Sequence, residues 1–281
     1  MGFENKLVTG ISILALILGL IAITGTGTIK GNESNAEELS VFDKILSEKK
    51  ITACYINYPP FNILDPATGK VSGAYVEAFE LIMKKLGVTQ INYIESTWAH
   101  IAIDLSSKRC EINVSGIFPL IERTQGQIFF TRSLGYLGNN GVVRKEDNRF
   151  SSIEQLNNSN VRIAVIDGEA SHEYAKANLA QAQLRVISAS DFGLAFQEVL
   201  SGTVDVALGD DWEVTQYVRV HPELKKLLIQ GYLKRSLTFA VRNNDPQWLN
   251  FLDNAINVIV TSGELDTLYA KYDLDIEKPS R

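Results

Sequence analysis

Arg123, Asp210 and four aromatic residues are the side chains whose types and positions could do chemistry in this chain. Arg123 is a fixed cation, either facing a ligand or lying on the surface of the short helix start Ile121-Glu122-Arg123. Asp210 offers a carboxylate that would need a cationic guest or solvent if buried. It is equally suited to cap the helix that contains Trp212, and Asp211 is the less suited of the two to face a ligand. Tyr58, Phe61 and Trp98 are placed to sandwich a ligand stem or ring, and Phe118, just after Gly116, adds an apolar wall. Plain core packing is the competing role for each aromatic. Gly168, Glu169, Ala170 and Ser171 open a helix, where free backbone N–H groups attract an anion. Glu169 either faces solvent as a first-turn acid or partly neutralises Arg123. These groups recognise charge and flat surfaces; they do not make a nucleophile. No Gly-x-Ser-x-Gly, phosphate loop or dinucleotide fingerprint occurs. His100, His172 and His221 are scattered, without metal-ligand spacing, so neither a metal nor a cofactor is expected.

Every one of these landmarks falls where a strand ends or a helix begins. Open α/β sheets bind small molecules at such places. ITACYINY reads as a buried strand, and the proline- and glycine-rich PPFNILDPATGKVSG after it as a loop. AYVEAFELIMKKLG has helical apolar spacing closed by Gly87. INYIES, HIAIDLSSK and EINVSG read as strand, helix and strand, after a short helix over 36–47. The second half repeats the order with VRIAVIDG, SHEYAKANLAQAQ, LRVISAS, FGLAFQEVLSG, VDVALGD and DWEVTQYVRV. Alternation of this kind implies parallel sheets with right-handed crossovers. LTFAVRNND and the helices QWLNFLDNAINVIVTSG and ELDTLYAKYDL then return to the first half. The expected class is α/β with two lobes, 41–136 plus 236–275 and 137–235. Two crossings, near 135–140 and 232–237, make a hinge that closes over a ligand.

The chain has 281 residues, 45% of them hydrophobic and 21% charged, with a net charge of −6. Length and composition allow two compact lobes, and the acidic balance disfavours nucleic acid. LVTGISILALILGLIAI is apolar, follows Lys6 and precedes a polar stretch. It reads as a signal peptide or membrane anchor over 1–24 followed by a linker over 25–40, with a buried core helix as the alternative. Cys54 and Cys110 are expected about four residues apart along adjacent strands, beyond disulfide reach, and therefore as free thiols.

YPPF at 58–61, GAYVE at 73–77, Trp98 with LSSKRCE at 105–111, GIFPLIER at 116–123 and SGELDTLYAKY at 262–272 together carry a resemblance. Over about residues 40–275 the chain resembles the extracytoplasmic solute-binding proteins of amino-acid-type ABC importers. The resemblance implies the two-lobed periplasmic-binding-protein type II fold. It implies that Arg123 holds a ligand carboxylate through two parallel hydrogen bonds and that Asp210 accepts a ligand ammonium. The family's hydroxyl donors are replaced by Phe118 and Ala170, and Glu169 puts negative charge beside the carboxylate position. RFSSIEQL at 149–156, HEYAKANL at 172–179 and RVHPEL at 219–224 resemble cyclohexadienyl dehydratases, exported enzymes on the same fold that remove water and carbon dioxide from prephenate or arogenate. That second resemblance makes Glu213 the catalytic acid.

The leading expectation is an extracytoplasmic protein, monomeric, that captures an amino acid or related carboxylate for a membrane permease of an ABC importer. A dehydratase-like enzyme and a membrane-tethered sensor are the alternatives.

Overall fold

The computed structural model describes residues 39–280. The N-terminal segment read as a signal or anchor, and most of the linker after it, lie outside the described residues. Residues from Leu39 onward form one compact unit. Among the described residues no helix is long and apolar enough to cross a membrane.

The first helix, α1 (Val41–Glu48), starts five residues later than the sequence suggests. Asp245 explains the boundary. Its carboxylate accepts the Ser40 hydroxyl at 2.8 Å, the Val41 N–H at 2.6 Å and the Trp248 N–H at 3.0 Å. One acid thus satisfies the first N–H groups of two helices. The second of these is α8 (Pro246–Thr261), which buries Trp248, Leu252 and Ile256.

The first half builds β1 (Lys50–Tyr55), α2 (Ala74–Leu86), β4 (Gln90–Glu95), α3 (Ile101–Ser106), β5 (Ile112–Ile117) and the one-turn helix α4 (Ile121–Thr124). Between β1 and α2 lies a two-strand hairpin, β2 (Ile63–Leu64) and β3 (Val71–Ser72). The second half repeats the pattern as β8 (Arg162–Ile166), α5 (Ala170–Asn178), β9 (Gln183–Ile187), α6 (Phe192–Leu200), β10 (Val206–Asp210) and α7 (Asp211–Val220). In each half the first strand lies between the other two and pairs with both in parallel. Each helix carries an apolar face onto that sheet, as the 3.6-residue spacing requires.

Two long strands join the halves: β7 (Gly135–Arg144) and β12 (Tyr232–Arg242). The N-terminal part of β12 pairs antiparallel with β7, and its C-terminal part with β5 and β6 (Ile128–Phe130). β7 in turn pairs antiparallel with β10 and with β11 (Leu224–Lys226). The strand order is therefore β4-β1-β5-β12-β7-β10-β8-β9. The C-terminal helices α8 and α9 (Glu264–Lys271) pack on α2 of the first half.

The cysteines correct the sequence reading. Cys54 and Cys110 form a disulfide, with Cα atoms 5.7 Å apart. The expectation failed because it assumed an extended approach to β5. Instead the chain coils between α3 and β5. Lys108 takes a left-handed conformation, and Arg109 N–H returns to the Asp104 carbonyl at 2.9 Å. Arg242 holds the Cys110 carbonyl at 3.1 Å. A residue in a coiled turn advances less than the roughly 3.3 Å of a strand residue, so Cys110 lands against Cys54.

Candidate functional site

Tyr58, Trp98, Gly116, Phe118, Arg123, Glu169 and Asp210 line one cavity. Leu137, Phe192 and Leu237 complete its wall. The gap between these walls is narrow, with only about 10 Å³ of room for a water-sized guest, so a larger guest needs the two halves to part. It sits at the strand ends where the two halves face each other.

The topology places each group. Tyr58 follows β1, Trp98 follows β4 and Phe118 follows β5. On the facing half, Glu169 follows β8, Phe192 follows β9 and Asp210 ends β10. Corresponding loops of a duplicated unit thus supply opposite walls.

Three hydrogen bonds cross the gap. The Tyr58 hydroxyl donates to Asp210 Oδ2. Trp98 Nε1 donates to the Ser190 carbonyl at 3.3 Å. Arg123 Nη2 donates to the Gly168 carbonyl at 2.6 Å, while its Nη1 donates to the Phe118 carbonyl at 3.0 Å on its own side. Gly168 permits this approach. Its φ is +72°, and a Cβ there would stand 2.7 Å from the Trp98 carbonyl carbon and closer still to the Ala99 backbone. Gly116 is similar, with φ +70° and the Tyr75 ring filling the place of a side chain.

The aromatic residues form a corner. Tyr58 and Trp98 have centroids 5.6 Å apart at 75°. Phe192 lies 5.9 Å from Tyr58 and 6.2 Å from Trp98, tilted to both. Such edge-to-face packing is favourable for rings. Phe61 stands apart from the cavity wall, stacked at 4.7 Å behind Tyr58 and packed against Tyr75 and Trp212.

The acids Glu169 and Asp210 are buried, and Arg123 is half-buried. Glu169 is 3% exposed, so it does not face solvent. It caps α5, accepting the Ser171 N–H at 2.6 Å and the Ser171 hydroxyl. The Gly168 N–H goes to His172 Nδ1 at 3.2 Å. Ala170 and Ser171 are buried but lie behind Glu169, off the wall. Burial lowers the pKa of Arg123, and the carboxylates of Glu169 and Glu173 oppose that shift.

Asp210 is 3% exposed. Its Oδ1 caps α7 through the Glu213 N–H at 2.8 Å, and it also lines the cavity. Burial pushes its pKa up to about 7, against the lowering effect of the Tyr58 and N–H hydrogen bonds. Glu213, one turn on, is pushed up to about 9, first by burial and then by the charges of Asp210 and Asp191. Two acids this close resist losing both protons. Glu213 stands behind Asp210, off the cavity wall.

Phe192, Leu137 and Leu237 were not anticipated. The internal repeat carries the signal for Phe192, which occupies in the second half the position that Trp98 occupies in the first. Leu137 and Leu237 lie on β7 and β12, and no local pattern marks them.

The chain matches the bacterial extracellular solute-binding proteins, family 3, over residues 51–275, and it belongs to that family. It is 27% identical over 256 residues to a cyclohexadienyl dehydratase of Pseudomonas aeruginosa, spanning 90% of this chain and 91% of that one. It is 21% identical over 220 residues to a putative ABC transporter arginine-binding protein of Escherichia coli, spanning 77% and 87%. A crystal structure of an ancestral amino acid-binding protein, a precursor of cyclohexadienyl dehydratase, superposes with a TM-score of 0.74 at 27% identity, covering 83% of this chain and 99% of that one. The two-lobed type II binding-protein fold follows from these matches.

Proposed function

We propose that this solute-binding protein captures a small polar metabolite in the cavity between its halves and presents the closed form to the permease of an ABC importer. The carrying observation is that one aromatic-walled cavity holds Arg123 at its positive end and Asp210 at its negative end, with hydrogen bonds from both halves meeting across it. A guest there would be flanked by rings, by the buried Asp210 and by the half-buried Arg123, in a space that excludes water on closure. The lobes 41–136 with 236–275 and 137–235 move as two bodies, and β7 and β12 are the linking strands. The family relationship supports work outside the cytoplasm, with the apolar N-terminal stretch acting as export signal or tether, and the protein acts as a monomer. No bond is broken in this reading.

Panels of amino acids, amines and small carboxylates, added to the full-length chain, should reveal at least one compound that raises the melting temperature by mass action. Gly168→Ala should weaken that compound's binding at least tenfold, because the new methyl meets Ala99 across the gap. Unchanged affinity in this variant would mean that binding does not require closure.

A dehydratase reading has one observation in its favour. Glu213 keeps its proton at neutral pH, as a general acid must. It would protonate the leaving hydroxyl of prephenate as the ring loses carbon dioxide and becomes aromatic. The position of Glu213 off the cavity wall favours the binding reading. Formation of phenylpyruvate from prephenate, abolished by Glu213→Gln, would reverse that preference.

A further inference from the structure

The two ends of the cavity are not equally available to a guest. At the positive end, the chain already supplies its own anion. Glu169 takes the Ser171 N–H and hydroxyl at the start of α5, where a guest carboxylate would dock. Gly168 N–H is spent on His172, and Arg123 reaches the Phe118 and Gly168 carbonyls. A guest carboxylate would meet an Arg123 whose two terminal nitrogens already serve backbone carbonyls, with the buried carboxylate of Glu169, of the guest's own sign, close enough for its charge to act on that cation. That arrangement is costly in a low-dielectric site.

The negative end is the reverse. Asp210 accepts a neutral hydroxyl from Tyr58 and the Glu213 N–H, and no cationic side chain is among its hydrogen-bond partners, whereas the positive end has a buried carboxylate, Glu169, acting on Arg123. Three rings share its cavity, and one of them, Tyr58, touches it. Tyr58 and Trp98 come from one half and Phe192 from the other, mutually tilted by 53° to 75°. Ring faces meeting at a corner beside a carboxylate suit an ammonium group through cation–π attraction. The remaining walls, Phe118, Leu137 and Leu237, offer no side-chain hydrogen-bonding group to a guest, so they suit an apolar stem. With the charge of Glu169 acting on Arg123, no cation of the site is left for the acid pair Asp210 and Glu213 except one a guest brings.

We propose that the cleft takes a monoamine, a primary ammonium on an apolar stem without a carboxylate, with its head at Asp210 and its stem among Tyr58, Trp98 and Phe192. This rests on the solute-binding reading and narrows it from amino acids to amines. Glu169 is the specificity-determining residue, since it occupies the place a carboxylate would need.

The test is isothermal titration of the full-length chain with two matched pairs: 2-phenylethylamine against L-phenylalanine, and isopentylamine against L-leucine. Members of each pair differ only in the carboxylate. In at least one pair the amine should bind tenfold or more tightly than the amino acid. Glu169→Gln keeps an oxygen for the Ser171 N–H but removes the charge. It should improve binding of the matching amino acid about tenfold and narrow the ratio. An amino acid that binds in preference to its amine would overturn the proposal and leave the solute-binding reading intact. Preference for the amine that Glu169→Gln does not alter would overturn the role given to Glu169. If neither these compounds nor any in the wider panel bind, both readings fail together.

Discussion

Asp210→Asn should make the protein more stable above neutral pH and at the same time abolish ligand binding. The two effects have one origin. Asp210 is a buried carboxyl whose proton is held up to about pH 7, with Glu213 held higher still. A carboxyl that binds its proton more tightly when folded favours folding at low pH. That contribution is complete below the ordinary carboxyl pKa of about 4 and is lost as pH rises through about 7 for Asp210. At pH 8 the folded protein therefore bears the full cost of a buried charge. Asparagine keeps an oxygen for the Tyr58 hydroxyl and for the cap of α7, and asparagine is a good capping residue. The gain should be on the order of 2 kcal/mol at pH 8, or about 4–8 °C in melting temperature. It should shrink toward pH 4. Binding moves the other way. Removing one partner of a buried charge pair costs about 3–5 kcal/mol, a loss of about 100-fold or more in affinity. Melting curves from pH 4 to 9, alongside titration of the best ligand, check both halves. A variant that melts lower at pH 8, or that binds as well as the parent, would contradict this assignment of Asp210.

The largest stability effect should come from Cys54→Ala with Cys110→Ala. The disulfide spans 56 residues of sequence, and closing a loop of that size stabilises by about 4 kcal/mol in the chain-entropy account. The melting temperature should fall by about 8–16 °C. The loop has a second significance, since it contains Tyr58 and Trp98, begins on β1 and ends in the turn that leads into the adjacent strand β5. Loosening its base should weaken ligand binding by a smaller factor, about threefold to tenfold, through misplacement of those rings. Differential scanning calorimetry of parent and double variant measures the first effect, and titration the second. A melting temperature within about 2 °C of the parent would mean that the turn before β5 is held by its hydrogen bonds alone.

Much of the fold can be read in the sequence because the outer strands and their helices are locally consistent. DWEVTQYVRV is helical from Asp211 to Val220, with an acid cap before it. EINVSG and VDVALGD contain apolar runs that fold as the fully buried strands β5 and β10, each parallel to one neighbour and antiparallel to the other. The central strands are less legible. GYLGNNGVVR holds three glycines and two adjacent asparagines, which read as turn residues. It nonetheless forms the ten-residue β7, because Asn139 and Asn140 find buried partners at Gly209, Asp211 and Leu228. Such partners are distant in sequence, so no window of residues reveals them.

The site shows the same division. Tyr58, Trp98, Phe118, Arg123, Glu169 and Asp210 are legible because strand ends in this topology point into one gap. Phe61 illustrates the limit. It shares the YPPF phrase with Tyr58, yet its ring faces Tyr75 and Trp212 in the core. One residue's difference in a loop decides which side of the wall a ring takes, and only tertiary packing fixes it. Glu169 is the more instructive case. As a first-turn acid it has an ordinary helix-capping explanation, and its burial beside Arg123 is what turns it toward the chemistry of the cleft.

The most direct measurement is the position of a bound guest in a crystal structure, grown with whichever compound from the panels stabilises the chain most. The guest should lie in the cavity lined by Trp98, Arg123 and Phe192, with a polar group within hydrogen-bonding distance of Asp210 and ring faces within about 6 Å of its cationic head. A guest held elsewhere on the surface, or an Arg123 side chain swung out of the gap between the halves, would contradict the account.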